Sequence, residues 1–249
     1  MKTILITLVF LSSAFMTEAQ SIGSILKELN KGERIDTLIT FDNELSSMPV
    51  SIIRGENPGA VFTILAGIHG YEYPPIIAVQ ELMKETDPGR LSGTLIILPV
   101  SNRASFYRRS PFVNPIDGKN LNTPFPGSPS GTITEQIAHF ITKEIIPYTH
   151  VFLDIHGGDA NEDLIPFICY YNNLGETQKT EQARLLCEAS GMEYIISYPY
   201  TISKTEPAKY AFKQAVQLGC VALSIEEGKL GTVQTENVAL IKRAVYNTL

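Results

Sequence analysis

Two histidines and a glutamate stand where apolar, β-branched runs of the chain stop. Val61 to Leu65 leads into Ala66-Gly67-Ile68-His69-Gly70-Tyr71-Glu72, and Val151 to Ile155 leads into His156-Gly157-Gly158. Open α/β sheets bind ligands outside the carboxyl ends of their strands. Neutral imidazole with carboxylate is a donor set suited to Zn²⁺, and two histidines with one carboxylate leave a coordination position for water. The chemistry this implies is metal-assisted hydrolysis. A single histidine at a strand end is more often a hydrogen-bonded structural residue than a ligand. The glycines shift that balance. Gly67 and Gly70 permit a tight turn around His69, and Gly157-Gly158 let a ligand approach the backbone after His156. His139 and His150 lack such surroundings and read as structural.

Other residues could complete such a site. Asp154, two positions before His156, shares its face of an extended strand and could support the imidazole from behind; a loop-capping role is an equal alternative. Glu226 and Glu227 follow the apolar run Val221 to Ile225. A desolvated carboxylate there suits a general base, because burial raises its pKa toward neutrality. Strand alternation sends the two to opposite faces, so only one can serve. Arg109, with Arg108 and Arg103 as alternatives, could polarise a carbonyl or hold a substrate carboxylate, against the plainer reading of exposed loop arginines. Asn122 could orient a substrate carboxylate or simply form a turn. Cys169, Cys187 and Cys220 lack Cys-x-x-Cys spacing and read as buried structural thiols. No Gly-x-Ser-x-Gly elbow occurs, which argues against a serine hydrolase.

These residues need a scaffold, and the chain alternates strand-like and helix-like segments, the pattern of a parallel sheet flanked by helices. Strands are expected at 61–66, 94–100, 151–155, 167–171 and 220–225. Helices are expected at 75–86, 134–146, 176–190, 207–218 and 234–246, several of them marked by Pro at the start or Gly at the end. The Pro-, Gly- and Asn-rich segment 102–130 is expected to be a long ordered loop, and the segment before residue 61 a polar stretch. Four strand ends then deliver His69, Asn102, His156 and Glu226 to one edge of the sheet.

The first 19 residues, apolar from Ile4 to Phe15 and ending in small and polar residues, read as a cleaved signal peptide; the expectation is an exported, periplasmic or secreted protein with no membrane attachment after cleavage. The remainder is the size of one α/β domain. With 44% hydrophobic and 18% charged residues, a net charge of −6 and no Lys/Arg cluster, the chain has the composition of a globular protein and none of the basic character of a nucleic-acid binder. A small molecule or short peptide is the expected partner.

Five segments in order resemble the succinylglutamate desuccinylase/aspartoacylase family, a branch of the zinc carboxypeptidase-like hydrolases. They are Gly67 to Glu72, Phe106-Tyr107-Arg108-Arg109-Ser110 with Pro115 to Asn122, Phe125-Pro126-Gly127, Asp154 to Glu162, and Ile225 to Gly228. The resemblance covers most of the chain after the signal peptide. It implies a three-layer α/β/α fold with a mostly parallel mixed sheet, and one Zn²⁺ per chain on His69, Glu72 and His156. It implies Glu226 as the base, Arg109 facing the carbonyl or oxyanion, and Asn122 at the substrate. The activity implied is cleavage of an amide or ester, namely deacylation of an N-acyl amino acid or related small substrate. The alternatives are an exported carboxypeptidase acting on peptides or cell-wall fragments, and a non-catalytic binding protein. Two features depart from the family pattern. Thr123 stands where similar proteins carry a carboxylate-binding arginine, so recognition of an acidic substrate does not carry over. The catalytic domain is expected to fill residues 20–249, without the C-terminal β-rich domain common in similar proteins.

Overall fold

The computed structural model describes residues 21–201 and 205–249. The expected signal peptide at 1–19 lies outside the described residues. None of their helices is long and apolar enough to cross a membrane.

One eight-stranded sheet organises the chain. Its strands are β1 (Arg34–Thr40), β2 (Ser47–Arg54), β3 (Asn57–Ala66), β4 (Ser92–Leu98), β5 (Val151–His156), β6 (Phe167–Asn172), β7 (Tyr194–Pro199) and β8 (Val221–Glu226). Their spatial order is β1-β2-β4-β3-β5-β8-β6-β7. The four central strands, β4, β3, β5 and β8, run parallel. Antiparallel pairings join β1 to β2, β2 to β4 and β6 to β8, while β6 and β7 are parallel to each other. The sheet is therefore mixed, with a parallel heart buried on both sides, as near-continuous apolar strands require.

Alternation along those strands fills two cores. Leu65, Phe152 and Ala222 point to one face, where α1 (Ile22–Glu28), α4 (Ile133–Phe140) and α6 (Ala211–Gln217) pack. Ile64, Leu153, Ile155, Leu223 and Ile225 point to the other, against α2 (Tyr73–Glu85), α5 (Thr177–Ala189) and α7 (Thr235–Thr248). Helices on both faces make the three layers that the resemblance implies.

Several expectations need correction. The polar stretch before residue 61 contains α1 and both strands of the antiparallel margin. β1 alternates exposed and half-buried residues along its whole length, the mark of an edge strand whose apolar signal is diluted. The expected loop 102–130 opens with a short helix, α3 (Arg103–Arg108), so Arg103 and Arg108 are helical and Arg109 is its C-cap. The helix expected at 207–218 is confined to Ala211–Gln217. The one expected at 134–146 ends as α-helix at Phe140 and continues as a π turn and a 3-10 turn through Pro147.

Candidate metal centre

The site is built at the carboxyl ends of the central parallel strands. After β3 the chain turns at Gly67, whose φ of 67° is open to glycine at no steric cost; a Cβ there would also lie 3.0 Å from Val100 Cα. The neighbouring turn after β4 is tied to this one: Asn102 N–H donates to the Gly67 carbonyl at 2.8 Å, and Asn102 Nδ2 donates to the Ile68 carbonyl at 3.2 Å. His69 emerges from that braced turn. Glu72 is the N-cap of α2, with proline in the first turn, so its carboxylate sits at the positive end of the helix dipole. His156 is the last residue of β5 and Glu226 the last of β8, and the two are register partners in parallel strands. Their side chains therefore leave the same face of the sheet, the face Asp154 also occupies.

His69, Glu72 and His156 converge. One ligand atom from each lies within 4.8 Å of the others. His69 Nδ1 is 2.6 Å from Glu72 Oε1, and His156 Nδ1 is 3.2 Å from Glu72 Oε2. The outer nitrogens also face oxygens: His69 Nε2 is 2.9 Å from Asn120 Oδ1, and His156 Nε2 is 3.2 Å from Asp154 Oδ1, an ion-pair distance. All four ring nitrogens thus face oxygen acceptors, while a neutral imidazole carries a single N–H. Without a metal, the contacts are satisfied only if both rings are protonated. A divalent cation held by His69, Glu72 and His156 would take the place of those two protons, charge for charge. It would leave the His69 Nε2–H for Asn120 Oδ1, the kind of contact that fixes a ligand tautomer, with the otherwise unpartnered Asp154 Oδ1 standing 3.2 Å behind His156 Nε2. The donor set fits a divalent metal ion.

The electrostatics follow this geometry. Burial opposes charge on both histidines, yet the Glu72 carboxylate holds His69 above its usual value, and Asp154 with Glu72 holds His156 well above it. Burial likewise works against the Glu72 carboxylate, but the two imidazoles overcome it and hold the pKa down to about 2. Glu226 behaves oppositely. Burial pushes its carboxyl up to about 7, a shift that His156 opposes and Glu72 and Asp154 reinforce. Glu227 also rises to about 7, from burial alone. It is 3% exposed, and its Oε2 has no hydrogen-bond partner. Only Glu226 is in register with His156.

The remaining candidates divide. Asp154 stands against His156 and not at a loop cap. Arg109 is exposed in left-handed conformation, with φ of 50°, and its side chain makes no hydrogen bond or ion pair among the described residues. Its charge reaches Tyr73: burial raises that phenol, and Arg109 counteracts the rise. Asn122 is half-buried with its Oδ1 lacking a partner. Thr123 is exposed and donates its hydroxyl to the Asn120 carbonyl at 2.8 Å, so the position brings no charge to the site. His150 is structural, accepting from Val61 N–H at Nδ1. The three cysteines are buried and unpaired; burial drives Cys169 well above the usual thiol range, Cys187 to about 12 and Cys220 to about 11, which leaves no thiolate for chemistry. Sequence reasoning missed Asn120, although it lies two residues before Asn122 in a segment already singled out.

Comparison with known proteins agrees with this arrangement. Residues 58–249 match the family described as the succinylglutamate desuccinylase/aspartoacylase catalytic domain. The chain is 35% identical over 207 residues to an N-alpha-acetyl-L-2,4-diaminobutyric acid deacetylase of Halomonas elongata, covering 81% of this chain and 57% of the relative. The chain thus spans little more than half the length of that protein. A succinylglutamate desuccinylase from Silicibacter superposes with a TM-score of 0.77 at 26% identity, over 87% of this chain and 65% of that one. A metallo-carboxypeptidase from Burkholderia cenocepacia shares the fold at a TM-score of 0.63 and 17% identity, over 91% and 66% of the two chains. With residues 58–249 matched by the family model and 81% of its length aligned to a relative at 35% identity, the chain belongs to the succinylglutamate desuccinylase/aspartoacylase family.

Proposed function

We propose that this chain is a zinc-dependent hydrolase that removes the acyl group from an N-acyl amino acid or a closely related small amide. One observation carries the reading: one ring nitrogen from each of His69 and His156 and a carboxylate oxygen of Glu72 converge within 4.8 Å at the strand ends, with Glu226 in register beside His156. The family membership and the deacetylase relative support the reaction class.

His69, Glu72 and His156 would hold the ion. Zinc bound there supplies Lewis acidity, lowering the pKa of a water and polarising a carbonyl oxygen. Glu226, with its carboxyl tuned to about 7, takes a proton from the attacking water and returns it to the departing nitrogen. The elements of water are thus divided between a carboxylic acid and a free amine as the C–N bond breaks. Arg109 offers a fixed positive charge to the oxygen on which negative charge develops. Asn122, with a free buried oxygen, orients the amino-acid portion of the substrate. With the neutral Thr123 beside it, a substrate bearing an extra carboxylate has no cationic partner at that position. A non-acidic N-acetyl amino acid is therefore the preferred class. Read as an export signal, the apolar segment from Ile4 to Phe15 supports action outside the cytoplasm.

Replacing Glu226 with Gln is the test. Turnover of N-acetyl amino acids should fall by about 10²- to 10⁴-fold, the usual contribution of a general base, while zinc stays bound. Near-normal turnover in Glu226→Gln refutes the assignment. Faster cleavage of peptides with a free C-terminus than of N-acetyl amino acids would replace the substrate class by a carboxypeptidase.

A further inference from the structure

The turn that carries Arg109 is fastened to both halves of the metal cluster. Arg109 and Phe112 lie at φ of 50° and 58°, left-handed conformations that side-chain-bearing residues keep only where their surroundings enforce them. Two sets of contacts do so. On one side Gly70 N–H, next to His69, donates to Ser105 Oγ at 3.0 Å. The Ser105 hydroxyl in turn donates to the Ser110 carbonyl at 2.7 Å, and Ser110 N–H returns to the Ser105 carbonyl at 3.0 Å. On the other side stands Asp159, three residues after His156 and fully buried. Its Oδ2 accepts from Phe112 N–H at 2.7 Å, and its Oδ1 accepts from Ala160 N–H at 2.6 Å. The Phe112 ring then meets His69 edge-on, with centroids 6.4 Å apart.

We infer that Asp159 and Ser105 are positioning residues for Arg109. They fix the backbone of the segment Arg109–Phe112 relative to the turns that carry His69 and His156, so that the exposed guanidinium, which has no side-chain partner of its own, starts from a fixed point beside the cluster. A buried carboxylate is costly unless its oxygens are satisfied, and Asp159 satisfies both on backbone N–H groups. One of the two belongs to the turn. The other sits on the loop that follows His156, so the residue couples the two segments. An amide in its place has one acceptor oxygen and must release one of them.

This inference rests on the role given to Arg109 above, and a double-mutant cycle separates the two. In the zinc-loaded enzyme, Asp159→Asn is expected to lower kcat on N-acetyl amino acids by about 10- to 100-fold, the scale of a small misplacement at a reacting centre. Zinc content should be unchanged. Combined with Arg109→Ala, it should cause little further loss, since the guanidinium it positions is gone. Hydrogen exchange should quicken in residues 105–113 and not in 61–68. Ser105→Ala, run through the same cycle, gives the second reading should Asp159→Asn fold poorly. A full multiplicative loss in the double variant, or loss of zinc in Asp159→Asn, overturns the inference while leaving Arg109's role intact. So does a wild-type rate in Asp159→Asn where Arg109→Ala is impaired. A wild-type rate in Arg109→Ala removes both the role and the inference.

Discussion

At the scale of single residues, the two adjacent glutamates have parted company. Both carboxyls are raised to about 7 by burial, but only Glu226 shares a register position with a metal-cluster histidine. A general base works unprotonated, so kcat/KM should rise with pH through the pKa of Glu226 and level off above it. A bound divalent cation pulls that pKa downward, so the acid limb should fall at or below about pH 7 and vanish from the residual rate of Glu226→Gln. A limb centred above about pH 8 in the wild type contradicts this. Glu227 carries a stability prediction instead. Below an ordinary glutamate pKa its carboxyl is protonated whether the chain is folded or not. As pH rises toward 7 the unfolded chain gives up that proton while the folded one keeps it, so stability falls, and above 7 the loss is complete. Glu227→Gln should therefore stabilise the fold at about pH 8, on the order of 1–2 kcal/mol or a few degrees in Tm, and have little effect at about pH 4. Equal effects at both pH values in thermal denaturation would show that the carboxyl is not held protonated.

At the scale of elements, what the sequence reveals depends on burial. β3, β5 and β8 lie in the parallel centre, covered on both faces, and their unbroken apolar runs announce them together with the residues at their ends. His69, Glu72, His156 and Glu226 were legible because each follows such a run. β1 and β7 lie at the margins; β1 alternates with charged residues, β7 is mostly exposed, and β2 includes Pro49, which discourages a strand assignment. α3 has six residues, too few for a helical period to register. The residues that brace the site were less visible still: Asn120, against His69, and Asp159, against the Phe112 N–H, act through contacts between segments far apart in sequence, which no local pattern encodes. The close seating of these segments can be tested at Gly70. A Cβ there would stand 2.0 Å from Phe106 N and 2.5 Å from the Ser105 carbonyl carbon, so α3 must move away from the His69 turn. Gly70→Ala should destabilise the protein by at least about 2 kcal/mol in urea unfolding and depress activity. Wild-type stability would show that the two segments are not packed this tightly.

At the scale of the whole molecule, the fold gathers the three candidate ligands His69, Glu72 and His156 from two segments more than eighty residues apart onto one edge of the sheet, so an ion held there would couple metal binding to folding. Removing the ion leaves clustered ionisable groups that need two extra protons to satisfy their contacts. Chelation should therefore lower Tm as well as abolish turnover, and zinc should restore both. The most direct measurement is elemental analysis of the purified chain alongside turnover of an N-acetyl amino acid, as zinc is stripped and then added back stepwise. Activity should follow occupancy and reach its maximum at one zinc per chain, and Glu72→Ala should neither retain the ion nor turn over. Full activity in the metal-free chain, or undiminished zinc binding in Glu72→Ala, would contradict the zinc assignment.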